Sequence, residues 1–330
     1  MNTPINNNLQ LDADGQLIHL LSIEGLSRNM LTEILDTAEP FVMAAGKAVK
    51  KLPLLRGRTA VNLFFEPSTR TRATFELAAK RLDADVLNME MQSSSKNKGE
   101  DDIDTIYTLQ AMGVDIFVIR HPDNGAAAHF AEHVASHVAV LNAGDGTNAH
   151  PTQALLDMLT IRQHRPDFEN LKVAIVGDIL HSRVAHSDIQ ALKTLGVPEI
   201  RVVAPPELMI RNPDDLGVIA CNDLNTGLKD ADVVMTLRLQ HERMHQKLIP
   251  SLEAYHARYG LNRNNLSPAA DNALVMHPGP INRGVEIAAD IAYGEQSVIL
   301  EQVRNGVAVR MAVMAMIVGN RARRLSSAAE

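Results

Sequence analysis

The stretch Phe64-Phe65-Glu66-Pro67-Ser68-Thr69-Arg70-Thr71-Arg72 decides how the fold of this chain is read. An apolar, β-branched run from Thr59 leads into it, and apolar residues recur after it at helical spacing, which predicts a strand, a tight turn and a helix. Ser68 is the expected N-cap, and the turn adds backbone N–H groups, hydroxyls and two guanidinium groups at the positive end of the helix dipole. Because arginines there are unfavourable unless an anion offsets them, the turn predicts a phosphate site rather than an ordinary capped helix with solvated arginines.

Length and composition limit the classes of protein to consider. The 330 residues are enough for two α/β domains, and a net charge of −7 argues against a general nucleic-acid or membrane-surface binder. Cys221 is the only cysteine, so an intrachain disulfide framework and a cysteine zinc cluster are excluded. No apolar run approaches the ~20 residues of a membrane span. The sequence therefore predicts a cytoplasmic protein with no nucleic-acid or membrane partner.

Short apolar runs and amphipathic helices alternate along the chain. The first four strand candidates are Thr59–Phe65, Asp85–Met89, Asp115–Ile119 and Val138–Leu141. A second set comprises Leu171–Gly177, Glu199–Val203, Asp232–Leu237 and Leu274–His277. This alternation predicts an α/β fold of two domains, each a parallel sheet flanked by helices, with functional loops at the carboxyl ends of the strands.

The chain is expected to divide near residue 150. Residues 1–150 form the first predicted domain and 151–296 the second, with an active-site cleft between them. A helix over about 297–330 is long enough to pack back onto the first domain. Two local expectations are a flexible arm over the polar, Asn-rich residues 1–16 and a helix with the apolar stripe Leu31–Ala38 that ends before a proline.

Several short motifs occur in an order that resembles the aspartate and ornithine carbamoyltransferase family. Each resembles one of the family's binding loops, and together they cover the chain from about residue 17 to 320. The motifs are S-T-R-T-R at 68–72, S-x-x-x-K-G-E at 94–100, R-H-P at 120–122, H-P-T-Q at 150–153, an arginine loop at 177–187, R-x-Q-x-E-R at 238–243 and H-P-G-P at 277–280.

The resemblance implies that the first domain binds carbamoyl phosphate. The implied ligands of its phosphate are Ser68, Thr69, Arg70 and Thr71. Arg120 would polarise the carbamoyl oxygen, His150 would hydrogen-bond the same carbonyl group, and Gln153 would contact the carbamoyl amide. Ser94 and Lys98 would reach the substrate of a neighbouring subunit, although composition alone predicts a mobile surface turn there. The implied catalytic residues are Arg70, Thr71, Lys98, Arg120 and His150.

For the second domain the resemblance implies a site for an amino acid. Arg183 would bind its α-carboxylate, and Arg238 and Gln240 would bind its side-chain carboxylate. A planar guanidinium group suits a dicarboxylate because it binds bidentately. Charge pattern alone would make the 238–243 stretch a solvated helix start. Gly279 and Pro280 are the implied contacts of the last motif.

The last motif brings the match closer to the aspartate members of the family. Ornithine members carry a cysteine in H-C-L-P, whereas this chain has H-P-G-P followed by N-R-G-V-E-I. The implied reaction joins carbamoyl phosphate and L-aspartate into N-carbamoyl-L-aspartate and phosphate, a step of pyrimidine (UMP) synthesis, with no cofactor and no metal. The implied assembly is a homotrimer with shared active sites, and a larger assembly with dihydroorotase-type or regulatory chains is left open. Val184 departs from the threonine expected there, which removes a hydroxyl contact.

Three alternatives remain at this point. An ornithine carbamoyltransferase shares the first half of the motifs, but its cysteine motif is missing. A dinucleotide-dependent dehydrogenase is opposed because the loop after Gly177 lacks the G-x-G-x-x-G spacing. A non-catalytic homologue that serves as an assembly subunit is opposed by the intact motifs.

Overall fold

The computed structural model of the chain describes residues 9–44, 51–91, 102–239 and 251–327. Its strands are β1 Thr59–Phe64, β2 Asp85–Glu90, β3 Ile116–His121, β4 Ala139–Asp145, β5 Lys172–Val176, β6 Glu199–Val203, β7 Ile219–Cys221, β8 Val233–Thr236 and β9 Leu274–Met276. Its α-helices are α1 Arg28–Ala44, α2 Thr69–Arg81, α3 Asp102–Ala111, α4 Ala126–His133, α5 Pro151–His164, α6 Arg183–Leu195, α7 Pro213–Leu216, α8 Leu224–Leu228, α9 Leu252–Tyr259, α10 Arg263–Leu266, α11 Ala289–Ala292 and α12 Ile299–Ser327.

The chain folds as two compact units. Unit 1 comprises Met1–Leu156 with Arg304–Glu330, and unit 2 comprises Asp157–Val303, so the boundaries fall inside α5 and α12. Unit 1 holds a four-stranded sheet of order β2-β1-β3-β4, and unit 2 a five-stranded sheet of order β7-β6-β5-β8-β9. All neighbouring strands in both sheets are parallel. The predicted class, parallel sheets flanked by helices, is confirmed.

The register of the unit 1 sheet brings the ends of its strands to one edge. Phe64, the last residue of β1, is paired with Glu90 of β2 and with Arg120 of β3. Strands β1, β3 and β4 are almost wholly buried, since apolar side chains such as Val61 and Phe117 fill the core between sheet and helices, whereas the edge strand β2 is largely exposed. The loops after β1, β3 and β4 therefore start from neighbouring points at the carboxyl edge.

The N-terminal segment corrects one expectation. Gln10 is 1% exposed, and its side-chain oxygen accepts hydrogen bonds from the backbone N–H groups of Leu21 (2.8 Å) and Ser22 (2.9 Å). Leu20 in turn donates its N–H to the carbonyl of Val140, at 3.0 Å, and so extends the sheet beside β4. The expected arm is thus wrong for residues 9–16, because a buried amide ties them to the core. Residues 1–8 lie outside the described part of the chain.

Helix α1 corrects another expectation, because it passes through Pro40 instead of ending before it. A proline inside a helix removes one backbone donor. Pro40 is exposed, while Ile34, Leu35 and Ala38 are buried, so the helix is anchored by its apolar face and the interruption lies on the solvent side. Tertiary packing outweighs the local penalty here.

The unit 2 sheet contains one strand that the sequence pattern did not indicate. Strand β7 has only three residues, and the first two, Ile219 and Ala220, are exposed. It is an edge strand that pairs with β6 alone. At the carboxyl end of the central strand β5, Gly177 has φ +133°, and a Cβ on it would lie 3.0 Å from Cβ of Leu237. Only glycine allows the ends of β5 and β8 to approach so closely.

Helix α12 spans 29 residues, and its part from Arg304 onward belongs to unit 1. In that unit the guanidinium group of Arg310 lies 4.7 Å from the ring centre of Phe75 on α2. Further along, the side chain of Asn320 donates to the carbonyl of Leu17, at 3.0 Å. Within the described residues, no helix combines the length and the apolar composition that crossing a membrane requires.

Candidate active site

The first turn of α2 is open to solvent. Ser68 occupies the N-cap position as predicted, but its hydroxyl makes no capping hydrogen bond to the helix. Thr69 and Arg70 are exposed and Thr71 is half-buried. The first turn contains no acidic side chain, so no carboxylate competes for its positive end. This arrangement of donors is suited to an anion that approaches from solvent.

Arg120 lies at the end of β3 beside the loop after β1. Its Nη2 atom is 2.6 Å from Oε1 of Glu66, and its Nη1 atom donates to the carbonyl of Ala143, at 2.9 Å. The side chains of Arg120 and Glu66 are only 13% and 17% exposed. The carbonyl of Arg120 also accepts from the N–H of Phe65, at 2.8 Å. The structure therefore joins the third predicted motif to the loop that precedes the first, and Glu66 fixes the orientation of the guanidinium group.

The loop before His150 is organised by a buried carboxylate. Asp145, at the end of β4 and 2% exposed, accepts hydrogen bonds from the backbone N–H groups of Gly125 (2.8 Å) and Ala149 (3.1 Å) and from the amide of Asn142 (3.0 Å). His150 is 5% exposed and lies between Ala149 and the first residue of α5. Because it is bonded to both sides of the loop, Asp145 acts as a positioning residue for His150.

Gln153 belongs to the same turn as His150. Its backbone N–H donates to the carbonyl of His150, at 2.9 Å, which ties the first turn of α5 to the residue directly before the helix. The neighbouring β3 end contributes His121, whose carbonyl accepts from the N–H of Gly146, at 2.9 Å. In unit 1 the predicted residues of the motifs after β1, β3 and β4 thus gather at one edge of the sheet.

In unit 2, Arg183 is the first residue of α6. Ser182 caps the helix, since its hydroxyl accepts from the N–H of Ala185, at 3.1 Å. Arg183 itself is 4% exposed, which is rare for arginine and fixes its direction. The preceding loop is held by Asp178, a fully buried carboxylate that accepts from the backbone N–H of His181, at 3.1 Å, and from its ring, at 2.9 Å.

The last predicted motif is held by a histidine and a glutamate. Nδ1 of His277 accepts from the N–H of Gly279, at 2.7 Å, so the ring proton is on Nε2, which lies 3.2 Å from Oε1 of Glu286. The same carboxylate oxygen accepts from the N–H of Asn282, at 2.6 Å. Gly279 has φ +67°, in the region that favours glycine, and Pro280 after it is exposed.

A buried chain of polar groups lies behind this motif. Gln302 of α12 accepts from the N–H of His277, at 3.0 Å, and donates to Oδ1 of Asp157, at 2.6 Å. The carboxyl group of Asp157 lies beside that of Asp188 on α6, and both are fully buried. Complete burial, together with the neighbouring Asp157, raises the pKa of Asp188 well above its usual range.

The predicted residues of unit 2 also lie at strand ends. Arg183 follows the loop after β5, Arg238 comes two residues after β8, and Gly279 and Pro280 follow β9. These three strands are neighbours in the order β5-β8-β9, so their loops meet at one edge. Ser94, Lys98 and Gln240 lie outside the described residues.

Four groups that support these loops were not predicted from the sequence. Glu66, Asp145 and the ring of His277 with Glu286 each bind a loop that carries a predicted residue. Their only sequence signal is a place inside or next to a recognised motif. Their partners are 2 to 54 positions away, and no pattern in the sequence identifies them.

Two parallel sheets with polar loops at the carboxyl ends of their strands are typical of α/β enzymes. Comparison with known families identifies the family of this chain. Residues 18–163 match the carbamoyl-P binding domain of aspartate/ornithine carbamoyltransferases, and residues 169–317 match their Asp/Orn binding domain. The chain belongs to the aspartate/ornithine carbamoyltransferase family.

Similar solved structures include both branches of this family. An aspartate transcarbamoylase from Trypanosoma cruzi, in complex with carbamoyl phosphate and aspartate, is 32% identical, with 94% of this chain and 99% of that chain covered and a TM-score of 0.81. The same enzyme with N-(phosphonacetyl)-L-aspartic acid has the same identity, coverage and TM-score. An ornithine carbamoyltransferase from Pyrococcus furiosus is 28% identical over 91% of this chain and 97% of that chain, with a TM-score of 0.79.

Proposed function

We propose that this chain is an aspartate carbamoyltransferase, which transfers the carbamoyl group of carbamoyl phosphate to the α-amino group of L-aspartate. The observation that carries the choice of aspartate is the pair of arginines at the carboxyl edge of the unit 2 sheet. Arg183 starts α6 after β5, and Arg238 follows β8, whose end is held against Gly177. Two guanidinium groups suit the two carboxylates of aspartate and oppose the cationic side chain of ornithine.

In this proposal unit 1 binds carbamoyl phosphate. The exposed start of α2 binds the phosphate through Ser68, Thr69, Arg70 and Thr71. Arg120 and His150 contact the carbamoyl oxygen, and Gln153 contacts the carbamoyl amide. The largely buried carboxylates of Glu66 and Asp145 hold Arg120 and the loop before His150 in place. These donors therefore need little reorganisation during the reaction.

The chemistry proposed is direct attack of the amine of aspartate on the carbamoyl carbon. A C–N bond forms, the C–O bond to phosphate breaks, and the proton lost by the amine passes to the departing phosphate. Negative charge on the carbonyl oxygen is stabilised by Thr71, Arg120 and His150, and charge on the phosphate is offset by Arg70 and Lys98. No side chain forms a covalent intermediate, and the step uses no cofactor.

The proposal extends to the assembly and the pathway. The chain is proposed to form a homotrimer in which Ser94 and Lys98 complete the site of a neighbouring subunit. The product N-carbamoyl-L-aspartate is proposed to enter UMP synthesis in the cytoplasm. Ornithine carbamoyltransferase is the second candidate, because a structure of that activity aligns with almost the same coverage.

A product assay separates these candidates. The purified chain is incubated with labelled carbamoyl phosphate and either L-aspartate or L-ornithine at equal concentration, and the products are separated by chromatography. Carbamoyl-aspartate as the dominant product supports the proposal, whereas citrulline as the dominant product overturns the choice of substrate. Absence of both products from protein with a cooperative unfolding transition would support a non-catalytic homologue.

A further inference from the structure

The last turn of α4 carries three side chains that can act as metal ligands. They are His129, Glu132 and His133, and one ligand atom from each lies within 4.8 Å of the others. His129 and Glu132 are exposed, and His133 is half-buried. None of them belongs to the residues proposed to bind carbamoyl phosphate or aspartate, so the cluster is available for a separate role.

The spacing of the two histidines places their rings side by side. Residues four apart in a helix lie on the same face one turn apart. The ring centres of His129 and His133 are 4.6 Å apart, with an angle of 62° between the ring planes. Two nitrogens bound to a tetrahedral zinc ion lie about 3.4 Å apart at Zn–N distances of about 2.1 Å. The exposed side chains of His129 and Glu132 can rotate towards that geometry around His133.

The helix itself decides which ring nitrogen of His133 carries the proton in the neutral form. Its Nδ1 atom lies 2.8 Å from the carbonyl oxygen of His129. Because a carbonyl group can only accept, Nδ1 carries the proton, and the neutral ring keeps its lone pair on Nε2. Metal-binding histidines commonly have their second nitrogen bonded to a backbone carbonyl in this way, which orients the ring and fixes its tautomer.

Electrostatics at this position favour a cation. His133 is the last residue of α4, where the helix dipole is negative. Glu132 adds a carboxylate that offsets part of the charge of a divalent ion. The helix is also a rigid support, because the intervening Phe130 is 2% exposed and stacks on Phe65 with ring centres 5.9 Å apart.

We propose that His129, Glu132 and His133 form a binding site for one divalent transition-metal ion, with Zn²⁺ as the ion that best fits two imidazoles and one carboxylate. This ligand set leaves a fourth position for water. Mg²⁺ and Ca²⁺ are disfavoured because they require mainly oxygen ligands. The inference is independent of the carbamoyl transfer reaction.

The test is a calorimetric titration of the full chain with ZnCl₂ after dialysis against a chelator. The wild type is expected to bind one Zn²⁺ ion per chain at this site. The double variant His129→Ala/His133→Ala is expected to bind one ion fewer per chain than the wild type. Glu132→Gln should weaken the same site roughly tenfold or more without abolishing it. The three positions are exposed or half-buried, so the variants should keep the unfolding temperature of the metal-free wild type.

The sequence offers a matched control, because His241 and His245 have the same spacing of four and lie outside the described residues. The double variant His241→Ala/His245→Ala should retain the ion assigned to α4. A His129→Ala/His133→Ala variant with unchanged stoichiometry and affinity would overturn the proposal, as would a wild type that binds no Zn²⁺ at millimolar concentration. Added Zn²⁺ should also raise the unfolding temperature of the wild type and of the control, but not that of the α4 variant.

Discussion

Nη2 of Arg120 lies 2.6 Å from Oε1 of Glu66, and the two side chains are 13% and 17% exposed. The pair joins the end of β3 to the loop after β1 at the carboxyl edge of the unit 1 sheet. Removing one partner of such a pair leaves a poorly solvated charge, whereas a surface pair of the same kind contributes little. The pair therefore links the stability of unit 1 to the direction of its proposed catalytic arginine.

Replacing Glu66 should lower both stability and activity. Glu66→Ala is expected to reduce the free energy of unfolding by about 1–3 kcal/mol, because Arg120 loses a largely buried partner. The turnover number should fall as well. For Glu66→Gln, both the free energy of unfolding and the turnover number should lie between those of the wild type and of Glu66→Ala. Chemical denaturation and steady-state kinetics measure these effects. The control is Glu76→Gln, which removes a more exposed helical pair with Lys80 and should change stability by less than about 0.5 kcal/mol.

The carboxyl pair of Asp157 and Asp188 should make stability depend on pH. Neither oxygen of Asp188 has a hydrogen-bond partner in the described part of the chain, and the carboxyl group of Asp157 lies beside it, so the folded state favours a proton on Asp188. The folded state therefore holds this proton more tightly than the unfolded state. The resulting stabilisation is fully present below the usual aspartate pKa of about 3.9 and is lost as pH rises towards the raised pKa of the folded state.

Asp188→Asn tests this dependence, since an amide can donate to Asp157 without titrating. As pH rises above about 4, and for as long as folded Asp188 keeps its proton, the difference in unfolding free energy between Asp188→Asn and wild type should shift in favour of the variant by up to about 1.4 kcal/mol per pH unit. Asp188→Leu should destabilise at every pH, because leucine at this position offers Asp157 no polar group and cannot donate a hydrogen bond to it. A difference between Asp188→Asn and wild type that stays constant with pH would show that Asp188 is ionised in the folded state.

The phosphate site proposed at the start of α2 should require the planar shape of Arg70. Arg70→Lys keeps the positive charge but loses the fork of donors, so kcat/KM for carbamoyl phosphate should fall roughly 10- to 100-fold. Arg72→Lys is the matched control, because Arg72 lies on the same helix and acts electrostatically on Glu76. A folded Arg70→Lys enzyme with near-normal turnover would refute the role of Arg70.

Selection of aspartate should depend on Arg238. Arg238→Ala removes the proposed partner of the side-chain carboxylate, at a cost of roughly 1.5–3 kcal/mol per charged hydrogen bond. The KM for aspartate is therefore expected to rise, while binding of carbamoyl phosphate, followed by calorimetry without aspartate, should change little. Unchanged affinity for aspartate would mean that the loop after β8 does not bind this substrate.

Shared active sites should be visible in mixed assemblies. Lys98→Ala and Arg70→Ala chains are each expected to be inactive, since each damages every site of a uniform trimer. In a mixed trimer one interface pairs an intact Lys98 with an intact Arg70, so activity should return after the two proteins are dissociated and reassembled together. Mixing without exchange is the control. Inactive hybrids of confirmed mixed composition would mean that Lys98 does not act across the interface.

The sequence by itself determined the class of fold and the positions of the candidate residues. Strands such as β6 follow from local hydrophobic periodicity, and the observed bounds of β6 agree with those expected. The motif residues Arg120 and Arg183 lie at strand or loop ends, as the alternation of strands and helices predicts. These features depend on neighbours within a few positions, and such patterns can be read without a structure.

Only the tertiary structure decided which groups hold those residues in place. Gln10 is buried against Leu21, helix α1 continues through Pro40, and β7 forms at a sheet edge although its first two residues are exposed. The bonds from Glu66 to Arg120 and from Gln302 to Asp157 join residues 54 and 145 positions apart. A buried polar group is stable only when a partner is present, and that partner is brought near by packing of the whole unit rather than by local sequence.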